Sequence, residues 1–290
     1  MLEIKAVLNE ITDRHYNQSN IFIMKKYFLV GGLLIFFSCT VKLNSNKSVV
    51  APQDSFLPNG KLFTALYQQH AAEYKALCLQ SFNMASIKLN QYVKSTDKPL
   101  VIVTDIDETV LDNSAFAVHQ GLMGKEYEPE AWYDWTSKAQ ADTVPGAPAF
   151  LKYAASKGIQ VFYITNREER ERVATIKNLS LYNLPNADNQ HLLLKTTTSG
   201  KEPRRQLVAN DYEIVMLIGD NLSDFTDMFD KKTPQRRSSN VSALVNQWGN
   251  QFIVLPNPNY GDWEGALFNY NYKLSSHEKD SIYRTLLKTY

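Results

Sequence analysis

The sequence lacks the features that mark disulfide scaffolds, nucleic-acid-binding proteins and disordered chains. Its 290 residues contain two cysteines, Cys39 and Cys78, fewer than a disulfide framework or a zinc ribbon requires. The 31 basic residues are balanced by 30 acidic ones, so the net charge of +1 provides no field to attract a nucleic-acid polymer. Hydrophobic residues make up 44% of the chain, too many for a disordered protein. The composition therefore indicates a globular protein that needs no covalent cross-links.

An apolar stretch over residues 27–37 is too short for a transmembrane helix, which takes about 20 residues. It follows a Met24-Lys-Lys start and ends at Ser38-Cys39, the three-part arrangement of a secretory signal. A small residue directly before a cysteine at this point resembles the bacterial lipobox. We therefore expect secretion across the inner membrane and a lipid on Cys39 that anchors the protein, most simply in the outer membrane. The alternatives are an ordinary signal peptide with a chance cysteine and a retained membrane anchor.

The predicted organisation of the chain follows from this leader. Acidic residues precede the lysine pair, which is unsuitable for a signal peptide, and an aperiodic polar segment follows the cysteine. The predicted segments are a non-native extension over 1–23, a signal peptide over 24–38, a tether over 39–60 and one folded domain over 61–290.

Strand and helix patterns alternate through the last of these segments. Short apolar runs typical of buried strands begin near residues 100, 159, 192, 214 and 251, and helical periodicity separates most of them. This alternation predicts an α/β fold with a mostly parallel sheet. One long helix is expected over 61–93. The segment 114–143 is too long for a plain strand-to-helix loop, so we expect a cap there.

Polar residues follow the predicted strands at the edge where an open parallel sheet binds its ligands. The first strand is followed by Asp105-Ile-Asp107-Glu-Thr109, the second by Thr165-Asn166-Arg167 and a later one by Gly219-Asp220-Asn-Leu-Ser-Asp224. Lys201 begins a predicted helix and adds a cation from a fourth loop. Four separate loops thus bring carboxylates, a hydroxyl, an amide and a positive charge to one place.

The pattern Asp105-x-Asp107-x-Thr109 resembles the first motif of the haloacid-dehalogenase (HAD) superfamily of phosphohydrolases. Together with residues 219–225 and 255–264, the stretch 105–113 is similar to the class C acid phosphatases, bacterial lipoproteins that often act as 5′-nucleotidases. The resemblance runs from about Lys61 to the C-terminus. It implies a HAD-like Rossmannoid fold, a three-layer parallel sheet with a smaller, mainly helical cap.

The resemblance also implies a role for each carboxylate. Asp105 would attack phosphorus and form an aspartyl phosphate, and Asp107 would act as general acid and then as general base. A phosphate dianion is repelled by a carboxylate unless a hard cation lies between them, so we expect Mg²⁺. Its ligands would be Asp105, the backbone carbonyl of Asp107 and Asp220, with Asp224 orienting a metal-bound water.

The remaining predicted site residues would contact the substrate. Thr165 and Lys201 would bind phosphoryl oxygens, and Asn166 would add an amide donor. Arg167 is either a substrate contact or part of a solvated salt bridge. In the family a cap tryptophan and a tyrosine clamp a nucleobase, and the resemblance assigns these roles to Trp132 and Tyr260, although such aromatics commonly serve packing.

The leading hypothesis is therefore a magnesium-dependent phosphomonoesterase acting on nucleoside monophosphates outside the cytoplasm. Two alternatives stay open. One is a broad phosphatase or phosphotransferase for sugar or aromatic phosphates, and the other is a noncatalytic surface lipoprotein that binds a ligand or a host partner. The sequence also leaves open whether two chains pair as a homodimer.

Overall fold

The computed structural model describes residues 56–290, so the predicted leader, Cys39 and most of the predicted tether lie outside the described residues. The described part contains ten α-helices and seven strands. In chain order they are α1 (Phe56–His70), α2 (Ala72–Gln91), β1 (Leu100–Thr104), β2 (Leu111–Asp112), α3 (Ser114–Leu122), α4 (Pro129–Ser137), β3 (Asp142–Thr143), α5 (Ala147–Ser156), β4 (Gln160–Ile164), α6 (Arg172–Leu181), β5 (Leu192–Leu193), α7 (Glu202–Asp211), β6 (Glu213–Gly219), α8 (Pro234–Ala243), β7 (Phe252–Val254), α9 (Asp262–Leu267) and α10 (Ser276–Leu286). None of these ten helices is both long and apolar enough to cross a lipid bilayer.

Five strands form one parallel sheet in the order β5-β4-β1-β6-β7, which confirms the predicted α/β fold. β1 lies at the centre, with β4 on one side and β6 on the other. Its Leu-Val-Ile-Val-Thr sequence suits this place because a central parallel strand is covered on both faces and needs apolar side chains on both.

Alternate residues of β1 pack into two different hydrophobic clusters, one on each face of the sheet. Ile102 packs in the cluster that contains Cys78 of α2 and Leu151 of α5, whereas Val103 packs in the cluster that contains Val208 of α7. Cys78 is fully buried and serves as a small core hydrophobe. The helices therefore cover both faces, which confirms the predicted three-layer arrangement.

The single long helix expected over 61–93 is wrong, because the structure has two helices that separate at Ala71. The backbone of Ala71 is extended, with φ −77° and ψ 123°. The two helices have different packing partners: Leu57 of α1 packs on Phe268 and Tyr283, whereas α2 packs in the main core. Helical periodicity continues across Ala71 and does not reveal this change of partner.

The chain also enters the fold earlier than the predicted end of the tether. Residues 56–60, assigned to the tether from the sequence, form the start of α1. The backbone N–H groups of Phe56 and Leu57 donate to the Asp280 carboxylate at 2.8 and 3.1 Å. This carboxylate satisfies two of the N–H groups that the start of α1 leaves without a helical partner.

Two helices, α3 and α4, make up most of the segment 114–143, as expected of a mainly helical cap. Its ends are joined by a short antiparallel ladder in which Leu111 pairs with Thr143 and Asp112 with Asp142. The ladder follows directly after the Asp105–Thr109 motif, so the cap begins and ends beside the carboxyl edge of β1.

Gly146, at the start of α5, provides a test of the packing between α5 and α2. Its φ is +93°, and an added Cβ would lie 2.9 Å from Cδ2 of the buried Phe82 ring. Because both the backbone and the neighbouring ring must shift, we expect Gly146→Ala to lower the free energy of unfolding by about 1–3 kcal/mol. Gly60→Ala is the matched control: Gly60 lies in α1 with no atom within 4 Å of an added Cβ, and we expect a gain of about 0.5–1 kcal/mol. Urea unfolding measures both changes, and an equal effect of the two substitutions would contradict this account.

Candidate active site

The cleft lies at the carboxyl edge of the sheet, where β1 is flanked by β4 and β6. Strand order reverses at β1, which is the position where open α/β sheets bind ligands. A cavity of about 520 Å³ opens there. Nine of the ten predicted site residues line it, namely Asp105, Asp107, Trp132, Asn166, Arg167, Lys201, Asp220, Asp224 and Tyr260. The tenth, Thr165, is fully buried, and its hydroxyl donates to the Asp107 carboxylate at 3.4 Å.

Three carboxylates and one ammonium group form the centre of the cleft. One oxygen each of Asp105, Asp220 and Asp224 lies within 4.8 Å of the others. The Lys201 ammonium group forms ion pairs with Asp105 and with Asp224, the latter at 2.7 Å. One lysine balances one of three negative charges, and the donor atoms are all hard oxygens. This set fits a divalent cation of the Mg²⁺ type.

Burial shifts the protonation of these carboxyl groups. It raises the pKa of Asp105 well above its usual range; Lys201 opposes this shift, and Asp224 and Asp220 add to it. Burial and the charge of Asp224 raise the pKa of Asp220 to about 7. The Asp220 carboxylate accepts hydrogen bonds from Thr109 at 3.0 Å and Asn257 at 2.8 Å. Burial and mutual repulsion thus disfavour full ionisation of the cluster when no cation is bound.

Asp107 lies beside this cluster but has different partners. The Arg167 guanidinium contacts its carboxylate through Nη2 at 2.7 Å and through Nε at 3.1 and 3.2 Å. The Asn113 amide donates to it at 2.9 Å. Arg167 is 2% exposed and also donates to Thr175, so it does not form the solvated salt bridge considered from the sequence. In this structure Arg167 orients the Asp107 carboxylate. A contact between Arg167 and the substrate stays a prediction.

The two predicted aromatic contacts lie in different surroundings. Trp132 is mostly buried: its indole N–H donates to Glu171 at 3.0 Å, and its ring meets Phe116 edge-on with centroids 5.2 Å apart. Packing therefore accounts for much of its surface. Tyr260 is 36% exposed, and its hydroxyl donates to the buried Glu108 carboxylate. The cavity reaches both side chains.

Two site-supporting residues, Arg204 and Arg205 of α7, were missed from the sequence. Both are buried and donate to the loops that carry the site residues. The available signal was their spacing from Lys201: positions i, i+3 and i+4 share one face of a helix. Three cations on one face of a helix that packs on the sheet would have indicated buried electrostatic contacts.

Known proteins are similar to this chain in sequence and in fold. A sequence model of the HAD superfamily, subfamily IIIB (acid phosphatase), matches residues 34–263. The class C acid phosphatase from Bacillus anthracis superposes with a TM-score of 0.78 and 46% identity, over 81% of this chain and 99% of that chain. A second structure of that enzyme, with tungstate bound, gives the same values.

Curated relatives are more distant. Acid phosphatase 1 from Solanum lycopersicum is 28% identical over 48% of this chain, and the stem 31 kDa glycoprotein from Glycine max is 24% identical over 54%. The chain spans about three fifths of the length of these two relatives, 58% and 62% respectively. The family model alone covers far more than half of the chain. The chain therefore belongs to the HAD superfamily, subfamily IIIB, the acid phosphatases.

Proposed function

We propose that this protein is a magnesium-dependent acid phosphatase that hydrolyses nucleoside monophosphates and similar phosphomonoesters through an aspartyl phosphate. The observation that carries the proposal is the position of Lys201, which bridges Asp105 and Asp224 within a three-carboxylate cluster at the end of β1. Asp107 lies in the same cavity, oriented by Arg167. A nucleophile, a cation partner and a second carboxyl group for proton transfer are thus adjacent.

The first step would use Asp105 and Lys201. A carboxylate oxygen of Asp105 forms a bond to phosphorus as the bond to the leaving oxygen breaks. Lys201 and the Thr165–Asn166 loop would hold the phosphoryl oxygens in line for this attack. Asp105, Asp220 and the backbone carbonyl of Asp107 would hold a magnesium ion, with Asp224 nearby, and the ion would supply positive charge that lets the phosphate dianion approach a carboxylate.

Proton transfer would belong to Asp107. Its carboxyl group gives a proton to the departing alkoxide, then takes one from the water that attacks the aspartyl phosphate. The second attack releases inorganic phosphate and restores the Asp105 carboxylate. Arg167 and Asn113 support this role because they hold the carboxyl group in one orientation from two sides. The two carboxylates of one motif therefore divide the chemistry.

The nucleophile is tested by Asp105→Asn. The amide neither attacks phosphorus nor carries the charge that Lys201 and a cation require, so we expect kcat for 5′-AMP to fall at least about 10³-fold while the fold is retained. Phosphate release and circular dichroism measure the two outcomes. Asp142→Asn, in the cap ladder, is the control and should keep wild-type activity. A folded Asp105→Asn protein with more than a few per cent of wild-type turnover would rule out the covalent route, and an inactive wild type would favour the noncatalytic lipoprotein.

The metal site is tested by thermal unfolding. We expect MgCl₂ at about 100 times its dissociation constant to stabilise the chelator-treated protein by about 2.7 kcal/mol, and Asp220→Asn to remove this gain. Because the pKa of Asp220 is raised to about 7, protons compete with the metal below that pH. At one fixed MgCl₂ concentration, the gain should therefore be larger at pH 8 than at pH 5. Stabilisation that is equal at both pH values, or retained in Asp220→Asn, would place the ion elsewhere.

Nucleotide preference rests on the aromatic side chains of the cleft. Tyr260 is partly exposed and lines the cavity that holds the acidic cluster. Trp132 lines the same cavity. A nucleobase has a flat face that stacks on aromatic rings whatever the base. These two residues support a nucleotide as substrate. The alternative is a broad phosphatase in which both rings serve packing alone.

Two Tyr260 variants separate these readings. Stacking on an aromatic ring is worth about 1–3 kcal/mol, so Tyr260→Ala should raise KM for 5′-AMP about 5- to 150-fold and leave KM for glycerol phosphate within about twofold. Tyr260→Phe keeps the ring, loses the hydrogen bond to Glu108 and should retain the wild-type preference. Steady-state kinetics on both substrates measure the effect. Equal losses on both substrates would indicate a packing role and favour the broad phosphatase.

The location of the enzyme is proposed on the sequence of the leader. We infer secretion across the inner membrane and anchorage by lipid on Cys39, most simply in the outer membrane. Support comes from the apolar stretch over 27–37 and the Ser38-Cys39 pair at its end. This arrangement would place the phosphatase where it meets phosphomonoesters outside the cytoplasm. Pairing as a homodimer stays a further hypothesis.

A further inference from the structure

Two consecutive arginines of α7 contact different loops of the active site. Arg204 donates through Nη1 to the Thr165 carbonyl at 2.5 Å and through Nη2 to the Asn166 side-chain oxygen at 2.9 Å. It also reaches the carbonyls of Ser199 and Gly200, both at 3.3 Å, just before Lys201. Arg204 therefore connects the loop after β4 to the segment that carries Lys201.

Arg205 points to the other side of the cleft. Its Nη1 donates to the Ser223 carbonyl at 3.1 Å and to the Asp224 carbonyl at 2.8 Å. Glu202, one turn earlier in α7, binds its Nη2 at 2.6 Å and its Nε at 3.2 Å. Arg205 therefore holds the loop after β6, which carries two of the three clustered carboxylates.

Both guanidinium groups are buried, Arg204 with 7% and Arg205 with 5% of its surface exposed. A buried polar group stabilises a fold only when its donors are satisfied, and a guanidinium group satisfies several acceptors in one fixed plane. Among the ion pairs of residues 56–290, Glu202 is the partner of Arg205, whereas no carboxylate pairs with Arg204. The positive charge of Arg204 is therefore not neutralised by an ion pair, and it can attract the carboxylates of the cleft.

The pKa of Arg204 reflects this attraction to the carboxylates of the cleft. Burial lowers the pKa of its guanidinium group, and the nearby charges of Asp105 and Asp224 oppose that shift. The hydrogen bond from Arg204 also occupies the side-chain oxygen of Asn166, so the amide nitrogen is the polar end of Asn166 that remains to donate to a ligand.

We propose that Arg204 and Arg205 are positioning residues with separate roles, Arg204 for the phosphate-binding loop and Arg205 for the metal-binding loop. The inference rests on the proposed function and extends it. Arg204 holds Thr165 and Asn166 in register with Lys201, so its loss should weaken phosphate binding. Arg205 holds the backbone of Asp224, so its loss should weaken metal binding. Because α7 begins at Lys201, one helix would align both halves of the site.

Binding measurements on the full-length protein test this division. Calorimetry with MgCl₂ on the chelator-treated protein gives the metal dissociation constant, and calorimetry with orthophosphate at saturating MgCl₂ gives the phosphate constant. For Arg204→Met we expect the phosphate constant to rise about tenfold or more and the metal constant to stay within about twofold. For Arg205→Met we expect the reverse. Leu207→Met, an exposed position of the same helix, is the control and should change neither constant.

Each outcome decides the matter. Separate shifts of the two constants support the proposal, whereas joint shifts in either variant, or none, would overturn it. Where a methionine variant does not fold, Arg204→Lys or Arg205→Lys takes its place, because lysine keeps the charge and loses the planar guanidinium group. We expect the same dissociation constants to change, by smaller factors. A lysine variant that also fails to fold would assign that arginine to folding alone and overturn its role. A wild-type protein that binds neither ligand would overturn the proposed function, and this inference with it.

Discussion

Repulsion among three carboxylates is the constraint on which the rest of the site depends. Asp105, Asp220 and Asp224 bring one oxygen each within 4.8 Å of the others in a largely buried cleft, where like charges interact far more strongly than in water. Lys201 offsets part of this repulsion through ion pairs with two of them. Burial first, and then the charge of Asp224, raise the pKa of Asp220 to about 7. The same uncompensated carboxylates are the oxygen ligands that the proposed divalent cation would use.

Such a cluster persists only because the surrounding fold holds it in place. The central strand β1 delivers Asp105, and its neighbour β6 delivers the loop with the other two carboxylates. Parallel hydrogen bonding continues past the strand end, where the Asp105 N–H donates to the Ile218 carbonyl at 2.9 Å. Side-chain donors complete the support: Asn257 and Thr109 bind Asp220, and Arg205 binds the Asp224 carbonyl.

The second carboxylate of the motif is managed differently. Asp107 is two residues from Asp105, yet Arg167 and Asn113 bind it, and Lys201 does not. Adjacent carboxylates with different partners agree with the proposed mechanism, in which one carboxylate attacks phosphorus and the other transfers protons. The cap adds to this separation, because Trp135 donates to the oxygen of the same Asn113 side chain at 2.8 Å. Cap placement and Asp107 orientation are therefore connected through one amide.

Residue order along the chain was sufficient to predict the fold class, and nine of the ten site residues predicted from it line the cleft. Short apolar runs in the sequence indicate buried strands. Because the carboxyl ends of parallel strands lie along one edge of the sheet, the residues that follow β1, β4 and β6 come close together. Local patterns did not reveal that the helix breaks at Ala71, that Arg167 pairs with Asp107, or that Arg204 and Arg205 turn to opposite loops. Those features depend on which elements pack together, because a charged side chain finds its partner on a neighbouring element. Only the tertiary structure decides which elements are neighbours.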